Sequence, residues 1–406
     1  MRPGFKKTAL GWIPEEWDVK KIGDLQPFVT SGSRGWANYY SDYGSLFVRI
    51  TNLTRTSINL DLEDMRFVNL PGIGSEGVRT QLRDGDVLIS ITADIGIIGF
   101  ITSDIPKPAY INQHISLIRF NQEKINTQFV SYFLASEKTQ KHFRSLTDSG
   151  AKAGMNLSTV QQIHLALPPI PEQIKIAQIL STWDKTITQT QQLIEAKQYY
   201  FNWLIEKLIN PKDKSNWHFV KLDQLICESR IPGKTGADAK KLTVKLYGKG
   251  VIPKSENRTG SENTKFFIRK SGQFIYSKLD FLNGAFGIIP PELDGYESTL
   301  DLPSFDISPN VSGDWLLYFF NRPLFYTSQQ NLAKGQRKAR RINPNDLLAL
   351  EIQLPNKEEQ LKTVATLNAC KSEIGLLNRK IDFLQTQKQG LMQKMLTGQI
   401  RVKVEA

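Results

Sequence analysis

Two stretches of the sequence place apolar residues at steps of three and four. The first runs from Ile176 to Leu208 and the second from Leu367 to Met395. This spacing, held for about four heptads, is typical of a helix that buries one seam against another helix. Because the two stretches match in length, we predict that they pair with each other in antiparallel orientation. The predicted seam consists of Ile187, Ile194, Phe201, Leu204 and Leu208 in the first helix and Ile374, Leu377, Ile381, Leu384 and Leu391 in the second.

The rest of the chain shows short apolar runs separated by glycine, proline and polar residues. The runs Leu46–Ile50, Leu82–Ile91 and Ile163–Leu167 are typical of short strands joined by tight turns. Helices are predicted over Thr127–Ser145 and Asp314–Ser328. The mixture indicates α/β or α+β domains.

Most of the chain consists of two copies of one unit. The segment Leu167–Gln173 (LPPIPEQ) returns as Leu354–Gln360 (LPNKEEQ) at a spacing of 187 residues. Upstream the register slips, and Trp17 matches Trp217 at a spacing of 200 residues. The slip indicates that loops of different length separate the matched elements.

These patterns predict the organisation of the whole chain. Mixed α/β (α+β) domains at 1–170 and 212–355 are each followed by one long helix, at 171–211 and 356–406. We expect the helices to form an antiparallel coiled coil, which gives the internal repeat a pseudo-twofold axis. The 33 residues of Ile176–Leu208 would form a rod roughly 50 Å long. The two domains are therefore expected to be held apart at a fixed spacing.

The sequence carries no sign of a membrane span or of secretion. Its most apolar run, Val87–Ile101, is interrupted by Asp94 and is shorter than the ~20 residues that a span needs. The N-terminal segment has basic residues but no apolar run after them. Cys227 and Cys370 cannot make a disulfide framework, so a reducing compartment fits best. We therefore expect a cytoplasmic protein.

The charge of the chain favours nucleic acid as a partner. The formal net charge is +12, and a basic chain attracts polyanions. The densest basic segment, Gln330–Arg341, contains no acidic residue, so the mutual repulsion of its cations must be offset by other groups, and we expect DNA to supply them. The matching segment of the first copy is Ser149–Asn156. The cations of the two segments are Lys334, Arg337, Lys338, Arg340 and Arg341 in the second copy and Lys152 in the first.

A second loop of the first copy, which is rich in Gly and Ser and precedes the predicted strand Leu46–Ile50, contains Ser33, Arg34 and Trp36. Lysine and arginine neutralise phosphates, and arginine also contacts guanine in the major groove. A pseudo-symmetric protein with two basic domains suits two DNA half-sites at a fixed spacing. Because the two copies have diverged, the two half-sites should differ in sequence.

No catalytic or metal-binding motif is recognisable. The segment Leu167–Ile170 (LPPI) lacks the polar and aromatic residues that an amino-methyltransferase motif places around Pro-Pro. Gly233–Thr235 resembles the end of a P-loop, but Glu228 stands where the first glycine is required. The four histidines have no zinc-site spacing. We expect no catalytic residue, metal site or cofactor in this chain.

The pattern as a whole resembles the specificity subunits of type I restriction–modification systems. The resemblance covers essentially the whole chain, although the second copy has Asn356 in place of the second proline of LPP and Gly272-Gln273 in place of Gly-Asp. It is carried by GWIPEEWDVKKIGDL, SGSRGWANYYSDYGSLFVRITNL, LRDGDVLISITADIGIIGF, NLSTVQQIHLALPPIPEQIKIAQILSTWDKTI and the ending LMQKMLTGQI.

The resemblance implies a division of labour between subunits. The two domains would be target recognition domains, each reading one half of a bipartite asymmetric site in double-stranded DNA. Two modification subunits, which use S-adenosylmethionine to methylate adenine, would dock around the long helices. Restriction subunits, which translocate and cleave DNA with ATP and Mg²⁺, would join them. The implied DNA contacts are Ser33, Arg34, Trp36, Lys152 and Asn156 in the first domain and Lys334, Arg337, Arg340, Arg341 and Asn343 in the second.

Two other interpretations stay open at this point. The chain could serve a different methyltransferase–nuclease system, such as a two-subunit type II enzyme, which the identity of the co-purifying subunit would reveal. It could instead be a coiled-coil interaction protein whose basic domains bind RNA or protein, because a fold alone does not define a function. That interpretation predicts no sequence preference on duplex DNA.

Overall fold

The structure, a computed structural model, describes residues 3–32, 34–72, 74–148, 155–236, 238–255, 264–335 and 340–403. The chain divides into two compact units. Unit 1 comprises Met1–Gln191 and Arg379–Ala406, and unit 2 comprises Gln192–Asn378. Each unit therefore contains part of both long helices.

Unit 1 is built from short strands and helices. In chain order its strands are β1 (Phe5–Thr8), β2 (Gly11–Pro14), β3 (Asp18–Lys21), β4 (Phe28–Ser31), β5 (Tyr40–Ser41), β6 (Ser45–Val48), β7 (Phe67–Val68), β8 (Val87–Ser90), β9 (Ile98–Phe100), β10 (Ala109–Ile111), β11 (Ile115–Arg119) and β12 (His164–Leu167). Its helices are α1 (Ser75–Thr80), α2 (Thr127–Ala135), α3 (Glu137–Asp148), α4 (Leu157–Gln161) and the first part of α5 (Ile170–Ile209).

The core of unit 1 lies around an antiparallel four-stranded sheet in the order β4-β11-β8-β9. A second sheet, β10-β6-β7-β5, contains the parallel pair β10–β6. Strand β12 pairs with β3, and β1 pairs with β2. Strand β8 is buried at every position, which is why its sequence is a continuous apolar run rather than an alternating one. Helix α2 covers β8 and β9.

Unit 2 repeats this plan with different loops. Its strands are β13 (His218–Lys221), β14 (Ile226–Ser229), β15 (Ile231–Thr235), β16 (Leu242–Val244), β17 (Val251–Pro253), β18 (Lys265–Ile268), β19 (Phe274–Tyr276), β20 (Phe286–Ile288), β21 (Glu297–Ser298), β22 (Ser304–Ile307) and β23 (Glu351–Leu354). Its helices are the rest of α5, α6 (Gly313–Phe320), α7 (Pro323–Ser328), α8 (Pro344–Leu348) and part of α9 (Lys357–Met395).

The central sheet of unit 2 has the order β14-β22-β19-β20, and each strand corresponds to one strand of β4-β11-β8-β9 in unit 1. The pair β13–β23 corresponds to β3–β12. Unit 2 also contains the small sheets β15-β18-β21 and β16-β17. The predicted mixed α/β fold in two tandem copies is therefore confirmed.

The helix that follows the central sheet is interrupted in both units, contrary to the sequence prediction. Thr127–Ser145 contains two helices, separated at Ser136, whose backbone is extended and whose hydroxyl lies 3.2 Å from the Thr139 hydroxyl. Asp314–Ser328 also contains two helices, because Pro323 has no N–H and holds the preceding Arg322 in an extended conformation.

The two long helices pair as the sequence predicts. In unit 1, Arg401, beyond the end of α9, binds Glu172 at the start of α5 with Nε to Oε1 at 2.8 Å. Further along α5, Asp184 pairs with Lys388. Later positions on α5 thus meet earlier positions on α9, so the pairing is antiparallel. Buried or half-buried side chains are found at every predicted seam position, namely Ile187, Ile194, Phe201, Leu204, Leu208, Ile374, Leu377, Ile381, Leu384 and Leu391.

The repeated LPxxxEQ segment ties each long helix to its domain. In unit 1, the Trp17 indole N–H donates to Glu172 at 3.3 Å. Gln173 accepts a bond from the Asn126 backbone N–H at 3.0 Å and donates to the Pro168 carbonyl at 2.8 Å. In unit 2 the equivalent bonds join Trp217 to Glu359 at 3.1 Å, and Gln360 to the Ser312 N–H and the Pro355 carbonyl at 2.8 and 2.9 Å.

The Gly-Asp pair of unit 1 has a structural role that unit 2 fulfils with different residues. Asp86 accepts two bonds from Arg119 at 2.7 Å and one from the Arg83 N–H, also at 2.7 Å. At the equivalent positions of unit 2, Gln273 accepts from the Lys270 N–H at 2.9 Å and donates to Asp306 at 2.8 Å. In the second copy, the hydrogen bond from Gln273 to Asp306 on the neighbouring strand β22 therefore replaces the bonds between Asp86 and Arg119.

We expect Asp86→Asn to lower the free energy of unfolding of unit 1 by about 1–2 kcal/mol, because it weakens charge-assisted hydrogen bonds at a buried position. Hydrogen exchange of the β8 and β11 amides would measure the loss. The matched control is Asp84→Asn in the same turn, whose exposed ion pair with Lys107 should be worth less than about 1 kcal/mol. Equal effects of the two substitutions would contradict the structural role of Asp86.

Candidate nucleic-acid interface

One end of the four-stranded sheet in unit 1 brings together the loops that carry the predicted DNA contacts. Strands β4 and β8 end there, and β9 and β11 begin there. The Gly32 N–H donates to the Ile115 carbonyl at 3.1 Å, and the Ile91 N–H donates to the His114 carbonyl at 2.9 Å. The segment before α4 joins them, since the Met155 N–H donates to the Ile91 carbonyl at 2.8 Å. We call this end of the sheet, in either unit, the loop edge.

The loop after β4 requires glycine where it leaves the sheet. A Cβ atom at Gly32 would lie 1.9 Å from the Asn112 carbonyl oxygen, so the loop passes against this backbone only without a side chain. Arg34 is exposed two residues further on. Trp36 is only 7% exposed, and its ring lies 5.2 Å from the Tyr110 ring. The Arg34 side chain is therefore exposed to solvent in this loop, and Trp36 fixes the loop to the protein.

Asn156 lies on the same edge as the N-cap of α4. Its side-chain oxygen accepts bonds from the Thr159 N–H at 2.8 Å, the Thr159 hydroxyl at 2.9 Å and the Ser158 hydroxyl at 2.6 Å. The side chain therefore has a helix-capping role, whatever its amide group contacts. Ser33 and Lys152 lie outside the described residues.

Unit 2 forms the equivalent edge. The Ile342 N–H donates to the Lys278 carbonyl at 3.1 Å, which repeats the bond between Met155 and Ile91 in unit 1. The Lys278 N–H donates to the Asp301 carbonyl at 2.9 Å. The end of the basic segment therefore lies on the loop edge of unit 2, next to the loops that follow β19 and precede β22.

The cations of the basic segment are tied to neighbouring groups. Lys334 Nζ lies 2.5 Å from Asp346, and Arg341 Nε lies 3.3 Å from Asp301. The Arg340 guanidinium donates to the Gln330 and Ala333 carbonyls at 2.7 and 3.1 Å. Most of these contacts are exposed, so a phosphate can compete for them. Asn343 is the exposed N-cap of α8, and Arg337 lies outside the described residues.

Two cations that the sequence did not single out lie on the loop edge of unit 2. Arg230 directly follows β14, and Lys278 follows β19 by two residues. Burial lowers the pKa of Lys278 below its ordinary value, and the nearby Arg230 and Arg341 lower it further, against the opposing effect of Asp301. The positive charges of Arg230 and Arg341 therefore lie close enough to Lys278 to repel its positive charge. The only sequence signal was their position directly after strands.

Exposed tyrosines form a second feature that the sequence did not predict. In unit 1, Tyr39, Tyr40 and Tyr43 follow the anchored Trp36 and are exposed by 40, 47 and 70%. Aromatic side chains interleaved with cations are typical of nucleic-acid-binding surfaces, where rings pack on bases and sugars. Among the described residues, no three His, Cys, Asp or Glu side chains are arranged to hold a metal ion. No helix in the described ranges is long and apolar enough to cross a membrane.

Comparison with known proteins shows which family this chain is similar to. Residues 14–198 match the family described as the type I restriction modification DNA specificity domain. The chain is 24% identical to a Methanocaldococcus jannaschii protein named as the type I restriction enzyme MjaX specificity subunit. That alignment covers 98% of this chain and 97% of the relative.

Solved structures share the fold. A chain from a structure of a type I R-M system has a TM-score of 0.58 at 15% identity, with 96% of this chain and 99% of that chain covered. The S subunit of a type I restriction–modification system from M. genitalium has a TM-score of 0.56 at 11% identity, with 97% and 99% covered. These structures share the fold of this chain, and together with the sequence matches they confirm the resemblance to type I specificity subunits seen in its motifs.

Proposed function

We propose that this protein is the DNA-reading subunit of a type I restriction–modification complex and recognises a bipartite, asymmetric site. One observation carries the proposal. The same edge of the same four-stranded sheet recurs in both units and presents a different set of cations and aromatic side chains in each. Equivalent surfaces with different side chains are what two unlike half-sites require, because side chains at base edges specify sequence whereas phosphate contacts only position the protein.

The two edges are expected to read DNA in different ways. Unit 1 offers Arg34 together with exposed tyrosines, whereas unit 2 offers a denser set of cations that includes Lys278 and Arg341. Each cation that neutralises a phosphate adds to the salt dependence of binding. Binding by unit 2 should therefore depend more strongly on salt concentration than binding by unit 1.

In this proposal the chain recognises the DNA sequence, and its partner subunits carry out methylation and cleavage. Two modification subunits would bring S-adenosylmethionine, and restriction subunits would bring ATP and Mg²⁺, all in the cytoplasm. The chain itself would hold no cofactor. Support comes from the family of its relatives and from the absence of a recognisable catalytic motif in the sequence.

The test is a methylome. The chain is co-expressed with its modification subunit in a host without DNA methylation, and N6-methyladenine is mapped by sequencing. We expect one motif with two different half-sites and a fixed gap. Exchanging 1–170 for the matching domain of a relative should change one half-site and leave the other unchanged. Methylation without a motif, or assembly of a complex that never methylates, would overturn the proposal.

A further inference from the structure

The β16–β17 hairpin of unit 2 ends in a turn with an unusual residue. The Lys249 N–H donates to the Leu246 carbonyl at 3.3 Å, and φ is +57° at Tyr247 and +66° at Gly248. Positive φ at both central residues is the geometry of a type I′ turn, which favours Asn-Gly or Gly-Gly. A tyrosine at the first of these positions is strained, and strain of this kind clusters at functional sites. The hairpin itself would be more stable with asparagine there.

The tip of the hairpin combines an exposed ring with exposed cations. Tyr247 is 65% exposed and Leu246 is 37% exposed. Lys245 and Lys249 flank them and are exposed too. Within the part of the chain that the structure describes, neither lysine takes part in an ion pair. An apolar tip between two cations matches a DNA duplex, in which stacked bases lie between two rows of phosphates.

The turn is fixed to the loop edge of unit 2. The Tyr247 N–H donates to the Asn283 carbonyl at 2.9 Å, and the Gly248 N–H donates to the Gly284 carbonyl at 2.8 Å. The same loop, between β19 and β20, holds the basic segment through the bond from Ile342 to Lys278. The strained tyrosine and the basic segment are therefore attached to one loop.

We infer that Tyr247 is a DNA-contacting residue of unit 2, whose ring packs against the bases of its half-site while Lys245 and Lys249 bind the flanking phosphates. The inference rests on the proposed function and adds to it a specific contact. It accounts for an aromatic residue at a backbone position where asparagine or glycine is preferred, at the edge where the basic segment lies.

The test uses the complex of the full chain with its modification subunit and a duplex that contains the methylated motif. Tyr247→Asn removes the ring and suits the turn, so the thermal stability of the complex should stay unchanged or rise. We expect its affinity for the duplex to fall by about 10- to 100-fold, because asparagine cannot bury the apolar area that the ring buries against the base pairs. Tyr247→Phe should bind within about threefold of wild type, because the ring is retained.

The matched control is Phe219→Ser, which removes an equally exposed ring (67% exposed) from β13, outside the central sheet. It should leave the affinity for DNA unchanged. As a second measurement, 2-aminopurine placed along the half-site of unit 2 should change its fluorescence at one base step with wild type and Tyr247→Phe, and not with Tyr247→Asn.

Wild-type affinity and an unchanged fluorescence signal in Tyr247→Asn would overturn the inference and leave the proposed function standing. A wild-type complex without any sequence preference would overturn the proposed function, and the inference with it. The two failures are distinguishable because the first concerns only the variant.

Discussion

Replacing Lys388 by methionine is expected to lower the free energy of unfolding of unit 1 by about 3–5 kcal/mol, because it leaves a buried carboxylate without its cation. The side chains of Lys388 and Asp184 are only 10 and 7% exposed. The Tyr132 hydroxyl donates to the other Asp184 oxygen at 2.6 Å, and Lys388 Nζ lies 5.5 Å from the centre of the Tyr132 ring. Burial raises the pKa of Tyr132, so its hydroxyl remains a donor.

Asp184→Asn combined with Lys388→Met should recover at least half of the lost stability. The double variant removes the uncompensated charge and keeps an oxygen acceptor for Tyr132, and the two substitutions should be strongly non-additive. Hydrogen exchange of amides in α2 and in the first part of α5 measures the stability of unit 1. The matched control is Lys380→Met, an exposed position on α9. If Lys380→Met and Lys388→Met lost the same stability, the buried pair would not be the cause.

The pairing of Lys388 with Asp184 is a feature of the long helices that the sequence did not predict. The apolar spacing predicted the seam, in which Lys388 occupies the position between Leu384 and Leu391. It did not predict Asp184 as the partner, because the register of two antiparallel helices is set by packing that neither helix encodes alone. A buried polar pair in an apolar seam is a known way to fix register, and this pair is a candidate for that role.

The internal repeat was predictable because its landmarks are side chains with fixed partners. Trp17 and Glu172 recur as Trp217 and Glu359, since each indole N–H donates to the glutamate of its own unit. The apparent loss of Gly-Asp in the second copy could not be interpreted from sequence. The replacement hydrogen bond, from Gln273 to Asp306, forms because β22 lies next to β19 in the sheet, and this strand order cannot be read from the sequence.

The candidate site was predictable in position more than in side-chain role. The sequence singled out a loop rich in Gly and Ser and a run of cations, and the structure brings parts of both segments to the loop edges. Sequence could not show that Trp36 is buried against Tyr110, because those residues meet only through the pairing of β6 and β10. The hairpin that carries Tyr247 was likewise placed at the edge by contacts with Asn283 and Gly284, distant in sequence.

Charge reversal of the basic segment, Arg337→Glu with Arg340→Glu, is expected to weaken DNA binding by the assembled complex about 100-fold near 0.1 M salt. Each reversal removes a cation that neutralises phosphate and adds an anion. The plot of log affinity against log salt should therefore become less steep, with the magnitude of its slope smaller by about two. Arg340 is exposed, and its guanidinium donates to the Gln330 and Ala333 carbonyls. Titrations at several salt concentrations with motif and non-motif duplexes measure both effects.

The charge-matched control is Lys212→Glu with Lys221→Glu. Both lysines are exposed, and Lys221 precedes the start of β14, which is the end of the sheet opposite the loop edge. The control should change affinity by less than about threefold, through net charge alone. Equal loss with motif and non-motif duplexes would assign the segment to phosphate, whereas a larger loss on the motif would assign it to base edges in the half-site of unit 2. Unchanged affinity at every salt concentration would remove the basic segment from the interface and leave Arg230, Lys278 and the hairpin tip as its cationic part.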